Sequence, residues 1–217
     1  MEHCVIIGDV QRSRQLENWP EVFQALNGAL EGVNTRFASD LLLPFRPTVG
    51  DEFQGALQDA TNAYAVCLYL RVTTPASLYC GVGVGEVERL AHEEGGMRGT
   101  AFYRAREALN ACKRQQRTIL LRADESRTQG VEVVNALLGL IQALEERWTI
   151  RQREMARFYR MHPELTYEEV GRHFGVSKQA VSQVLRGAKW DALLEGERTV
   201  NALLARLTVR QAPGLDI

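Results

Sequence analysis

The stretch LLLPFRPTVGDEFQGAL, residues 41–57, sets two short runs of strand-forming residues around one Gly50-Asp51 turn signal. Glycine accepts the backbone conformation a tight turn demands, so the stretch predicts a β-hairpin, LLLPFRPTV followed by EFQGAL. On its N-terminal side, CVIIGDV at residues 4–10 is an apolar run too brief for a helix and suits a buried strand. Between that strand and the hairpin, Trp19, Val22, Phe23, Leu26, Leu30 and Val33 recur at helical steps. On the C-terminal side, Asp59 is a candidate N-cap for a helix carrying Ala63, Val66, Cys67 and Leu70. SLYCGVGVGEV, residues 77–87, then reads as a strand of small residues. Gly95-Gly96 falls in a loop, residues 100–113 are helical, and TILLR at 118–122 is a last strand.

The resulting order, β-α-β-β-α-β and then α-β, is the split βαβ pattern of ferredoxin-like or palm domains with one extra unit. The expected fold is therefore α+β over residues 1–128, with the helices on one sheet face. From residue 129 to 148 a connector helix follows. Its apolar positions Val134, Leu137, Ile141, Leu144 and Trp148 have the spacing of a coiled-coil seam, or of a helix packed on its own domain.

The chain has 217 residues, 45% of them hydrophobic, which is enough for one core domain and a smaller module. No signal-peptide pattern opens it, and its longest apolar stretch is broken by Glu132, Asn135 and Gln142, so no membrane segment and a cytoplasmic location are expected. Cys4, Cys67, Cys80 and Cys112 lack CxxC spacing and sit among apolar neighbours, as reduced structural thiols do. The net charge is −1, but it is unevenly spread. Residues 147–189 hold nine Lys and Arg against four Asp and Glu, leaving this segment at +5 and the remainder at −6. Such asymmetry points to one polyanion-facing module on an acidic body.

Within that basic segment, LTYEEVGRHFGVSKQAVSQVLRG at residues 165–187 has the punctuation of a helix-turn-helix. Thr166 with Glu169 three residues on forms a capping box, Gly175 ends the first helix, and Ser177 caps a second over residues 178–186. Leu165, Val170, Phe174, Val176, Val181, Val184 and Leu185 supply a small core with a preceding helix over residues 150–161. Ser177, Lys178, Gln179, Ser182, Gln183 and Arg186 are left outside, the residue types that bond base edges and phosphates in a major groove. With Thr166 they are the candidate DNA-binding residues. The segment resembles the DNA-reading helix-turn-helix of bacterial sigma factors. That resemblance implies an all-α DNA-binding domain over residues 149–190, double-stranded DNA as partner and a homodimer on a two-fold site. Residues 191–217 form a C-terminal helix and tail, and Trp190, Leu193, Leu194, Val200, Leu203, Leu204 and Leu207 line one side of the helix, fit either for a second subunit or for its own module.

In the N-terminal domain, Asp9 ends the first strand while Asp51 and Glu52 lie at the hairpin tip. A split βαβ sheet sets these elements side by side, so the three carboxylates are candidate Mg²⁺ ligands; the alternative is that the aspartates cap their own turns. Arg12, Ser13 and Arg14 precede a helix and form a candidate nucleotide or phosphate cradle, or else solvated loop charges. IIGDV at 6–10, TVGDEFQGAL at 48–57, GVGVGEV at 81–87 and GTAFYRAREAL at 99–109 resemble the class III nucleotidyl cyclases and GGDEF proteins. That likeness implies metal-binding roles for Asp9 and Asp51. Several positions depart from it: the cyclase purine readers fall on Pro47 and Gly96, the transition-state Asn and Arg on Tyr103 and Glu107, and the first GGDEF glycine on Val49. Without those charge stabilisers no catalytic residue is assignable, and cyclase activity is not expected.

The combination IIGDVQRSR, VGDEFQGAL and RGTAFYRAREAL resembles the SatD family, which implies a regulator with a C-terminal DNA-binding segment. Elsewhere, GVGVG lacks the third glycine of a dinucleotide loop, and no HExxH, GxSxG or Cys/His nucleophile pair occurs. The expected function is a DNA-binding transcription regulator whose palm-like domain senses a nucleotide or divalent metal. The alternative is a metal-dependent nucleotidyl-transfer or nucleotide-hydrolysing enzyme with a DNA-binding tail.

Overall fold

The computed structural model describes residues 2–89 and 97–207. The expected Gly95-Gly96 loop, and with it Gly96, lies outside the described residues. Two compact units divide the chain, Met1–Ala136 with Val200–Ile217, and Leu137–Thr199.

The first unit is built on a five-stranded sheet in the order β2-β3-β1-β4-β7. Its strands are β1 (His3–Val10), β2 (Leu41–Pro47), β3 (Glu52–Leu57), β4 (Leu78–Gly85) and β7 (Ile119–Arg122). A separate two-residue pair, β5 (Glu88–Arg89) with β6 (Met97–Arg98), was not anticipated. β1 runs antiparallel to both β3 and β4 in the middle of the sheet and is buried from Cys4 to Val10, which explains the apolar run Cys4–Ile7. β7 joins β4 in parallel, as the extra αβ unit requires. The helices of this unit are α1 (Trp19–Arg36), α2 (Ala63–Thr73) and α3 (Thr100–Gln115). The expected strand and helix order is thus observed, and the 2-3-1-4 core order is that of a ferredoxin-like sheet.

The expectation that all helices share one sheet face needs correction. Strand alternation sends Cys4 and Ile6 to one side, where Cys67 of α2 reaches Cys4 and Cys80, and Val5 and Ile7 to the other. α3 covers that second side with Ala101, Ala105, Ala108, Leu109 and Cys112, in one core with Val5, Ile7, Ala56 and Leu120. Gly81 and Gly83 of β4 admit it. A Cβ on Gly83 would lie 2.2 Å from the Ala101 carbonyl oxygen and from the Ala105 nitrogen, and one on Gly81 equally close to Ala105 and Leu109 backbone. The tight packing expected of GVGVG is therefore backbone-to-backbone contact with a helix. Asp59 is also corrected. It accepts from the Thr61 amide in the turn before α2, whose N-cap is Asn62.

Both sheet edges are closed by an asparagine. Asn34 of α1 donates to the Phe45 carbonyl and accepts from the Phe45 amide, at 2.8 and 2.7 Å, on edge strand β2. Asn135 of α4 (Thr128–Glu146) does the same to Leu121 on β7, at 3.0 and 2.8 Å. Each carboxamide satisfies the outward-facing backbone pair of one edge residue.

The second unit is helical and comprises the end of α4, α5 (Ile150–Met161), α6 (Tyr167–Phe174), α7 (Lys178–Gly187) and the start of α8 (Trp190–Leu207). Arg160 is its hub. Its guanidinium donates to Glu145 at 2.9 Å and to Glu197, and it lies over the Trp148 and Trp190 rings at 5.8 and 5.3 Å. Trp148 in turn donates its indole N–H to the Ala188 carbonyl at 2.8 Å. Of the connector stripe, Val134, Ile141 and Trp148 are buried and Leu137 and Leu144 half-buried. On α8, Trp190, Leu193, Val200, Leu204 and Leu207 are buried. Both stripes pack within this chain. Among the described residues no helix is long and apolar enough to cross a membrane.

Candidate functional site

The acidic site begins with strand register. Asp9 and Glu52 are direct partners across β1 and β3, so two carboxylates project side by side on the α3 face. Like charges so placed repel, and Asp9 is only 8% exposed. Burial raises its pKa, the Lys113 ammonium offsets part of that effect, and Asp51 and Glu52 push it higher again.

α3 brings the compensation. Arg106 and Lys113 are seven residues apart, two turns along one side of the helix. The Lys113 ammonium lies 2.5 Å from Asp9 and 3.7 Å from Glu52, and the Arg106 guanidinium donates to both Glu52 oxygens at 2.8 Å. Neither cation was among the residues anticipated. Their spacing was visible, but its meaning depends on α3 lying over the carboxylate face, which the one-sided reading of the sheet hid.

Asp51 is held differently. Gly50 adopts φ +70°, the turn is closed by Thr48 and Glu52, and the Asp51 carboxylate accepts from the Ser13 hydroxyl. Ser13 thus ties the loop after β1 to the hairpin tip, while its neighbours Arg12 and Arg14 are exposed; Arg12 sits in the left-handed region at φ 54°. The Mg²⁺ expectation can be set against this geometry. Asp9 and Glu52 already share Lys113, Glu52 is also taken by Arg106, Asp51 is turned to Ser13, and among the described residues no cluster of three or more His, Cys, Asp or Glu could hold a metal ion. The donor set as arranged does not fit a shared divalent ion. Tyr103 and Val49, at the positions where the cyclase and GGDEF patterns depart, are exposed.

In the helical unit, Thr166 and Glu169 form the expected capping box: the Thr166 hydroxyl accepts from the Glu169 amide, and the Glu169 carboxylate accepts from the Thr166 amide. This lowers the Glu169 pKa, through its bonds from the Thr166 backbone and side chain. Gly175 ends α6 at φ 65°, and the Ser177 hydroxyl caps α7 by accepting from the Ala180 amide. Gly171 lets the α6 backbone approach the turn, where a Cβ would meet the Val176 carbonyl oxygen at 2.6 Å. Val170, Val181 and Leu185 are fully buried, while Leu165, Phe174, Val176 and Val184 are half-buried. Ser177, Lys178, Gln179, Gln183 and Arg186 are exposed, and Ser182 is half-buried. Thr166 stands apart from them, its hydroxyl committed to the cap of α6.

With the arrangement in place, comparison is informative. The SatD family model matches residues 3–204. The chain belongs to the SatD family. No curated protein matches it. Among solved structures, this SatD-family chain is similar to a bacterial light-regulated adenylyl cyclase, at 10% identity and TM-score 0.41, over 55% of this chain and 74% of that one. It is also similar to the guanylyl cyclase Cya2, at 15% identity and TM-score 0.37, over 51% and 70%. A third is the dimeric guanylyl cyclase domain of the RhoGC fusion protein from the aquatic fungus Blastocladiella emersonii, at 13% and 0.35, over 48% and 71%.

Proposed function

We propose that this SatD-family protein is a DNA-binding transcription regulator that acts as a homodimer, with α7 reading the major groove and the split βαβ unit sensing a nucleotide through its Arg12–Ser13–Arg14 loop. The observation that carries this reading is the polarity of α7. One side is buried through Val181 and Leu185, and the other presents Lys178, Gln179, Gln183 and Arg186 to solvent. A helix whose polar side carries amide and cationic groups suits both parts of DNA recognition, glutamine to adenine edges and lysine or arginine to phosphate or guanine. The basic balance of residues 147–189 supports it, although Arg160 faces inward onto Glu145 and Glu197 and adds nothing to the outward charge. One such helix makes a small interface, which is the reason for proposing a dimer.

The test is binding of the intact protein to genomic duplex fragments across a salt series, with sequencing of what is retained. Affinity is expected to fall steeply with salt, and the retained fragments to share a two-fold symmetric site. Lys178→Ala is expected to flatten the salt slope by about one and to weaken binding to all sequences alike, whereas Gln183→Ala costs about 1–3 kcal/mol at one base position only. Binding that is absent, or unaffected by salt, rejects the proposal. Unchanged operator affinity across a panel of nucleotides rejects the sensing role alone.

A further inference from the structure

We infer that Lys113 is the resident cation of the Asp9–Glu52 pair, standing where a shared divalent ion would be expected, and that it closes the pair to Mg²⁺ and Mn²⁺. Asp9 and Glu52 are fixed opposite each other by strand register, one of them nearly buried, so some cation must lie between them. A divalent ion answers that need with oxygen contacts of about 2.0–2.6 Å and several further ligands. Here an ammonium lies 2.5 Å from one carboxylate and 3.7 Å from the other, and a guanidinium takes both oxygens of the second.

The four charges sum to zero. A divalent ion entering this site would have to displace Lys113 from Asp9 or accept a unit positive charge within a few ångströms, and would gain no net negative site in return. The third carboxylate that could complete a coordination shell, Asp51, is turned to Ser13. Lys113 is also well anchored for this part. It leaves the C-terminal turn of α3, a helix held on the sheet by direct backbone contact at Gly81 and Gly83, so its backbone attachment stays within reach of the site. The substitution of a tethered amine for an exchangeable ion makes the charge balance of the site independent of metal supply.

Mn²⁺ binding by the full-length protein, followed through loss of the free-ion paramagnetic resonance signal, tests the inference. The quantity read is Asp9-dependent binding, the difference between each protein and its Asp9→Asn counterpart. Wild type and Lys113→Arg, which keeps the charge, are expected to show none up to about millimolar Mn²⁺. Lys113→Met is expected to gain one Asp9-dependent site at least about tenfold tighter than any in wild type, since a net charge of −1 replaces zero. Lys113→Gln, which keeps a hydrogen bond to Asp9, provides the same readout should the methionine variant not fold. Asp9-dependent binding in the wild type overturns the inference, as does its absence from both neutral variants. Neither result bears on DNA binding, so this inference and the function proposed above fail separately.

Discussion

At Gly83 of β4 the side chain is a hydrogen because the backbone of α3 lies where a Cβ would go. Gly83→Ala puts a methyl 2.2 Å from two backbone atoms of α3, neither of which is the yielding end of a side chain. Overpacking of this kind costs about 1–3 kcal/mol and more where backbone must move, so the unfolding free energy from urea titration is expected to drop by an amount at the top of that range or above it. Glu169 makes a gentler prediction. Its pKa is lowered in the folded protein, so its contribution is present above the unfolded carboxylate value and is lost as pH falls through the folded one. Amide exchange in α6 is therefore expected to quicken in mild acid, and in Glu169→Gln that pH dependence should vanish. Thr166→Ala removes the other half of the box, including the hydroxyl bond to the Glu169 carboxylate, and is expected to cost about 1 kcal/mol at neutral pH and less in acid, measured by thermal or denaturant unfolding.

At the scale of elements, one arginine joins three helices. Arg160 of α5 holds Glu145 of α4 and Glu197 of α8 and is flanked by two tryptophans, with its side chain only 11% exposed. Arg160→Met takes the shared guanidinium away from two largely buried carboxylates, for which a loss of up to about 3–5 kcal/mol in unfolding free energy is expected. Arg160→Lys is expected to recover little of this, because a single ammonium cannot reach both acids and still lie flat between the rings.

The elements themselves were well marked in the sequence. The hairpin followed from Gly50-Asp51, α6 and α7 from Thr166, Gly175 and Ser177, and β1 from a run of apolar residues too short for a helix. What the sequence left open was depth. Strand alternation in β1 and β4 is invisible when both faces are buried, since glycine, valine and cysteine are apolar on either side. The side taken by α3 was therefore misjudged, and Lys113 and Arg106 were missed with it. Asp9 and Glu52 could be placed near each other from topology, but their partners lie 104 and 54 residues away in the chain, where no local pattern records them.

For the whole molecule, the net balance of charge changes sign along the chain, positive over residues 147–189 and negative over the rest, and the ferredoxin-like sheet keeps its charged pair on the side covered by α3. Its two outer strands share a further property. Asn34 and Asn135 each occupy the donor and acceptor that a neighbouring strand would use. An open sheet of five strands has two such margins, and each is a template on which a second copy could grow. Removing both carboxamides, in Asn34→Ala/Asn135→Ala, is expected to raise the rate of thioflavin-positive aggregation well before the fold melts, as followed by fluorescence during prolonged incubation. The consequence reaches the question of partnership: a second copy that continued the sheet past β2 or β7 would first have to displace Asn34 from Phe45 or Asn135 from Leu121. A contact made through helices or loops would need no such displacement and could separate again without unravelling a strand.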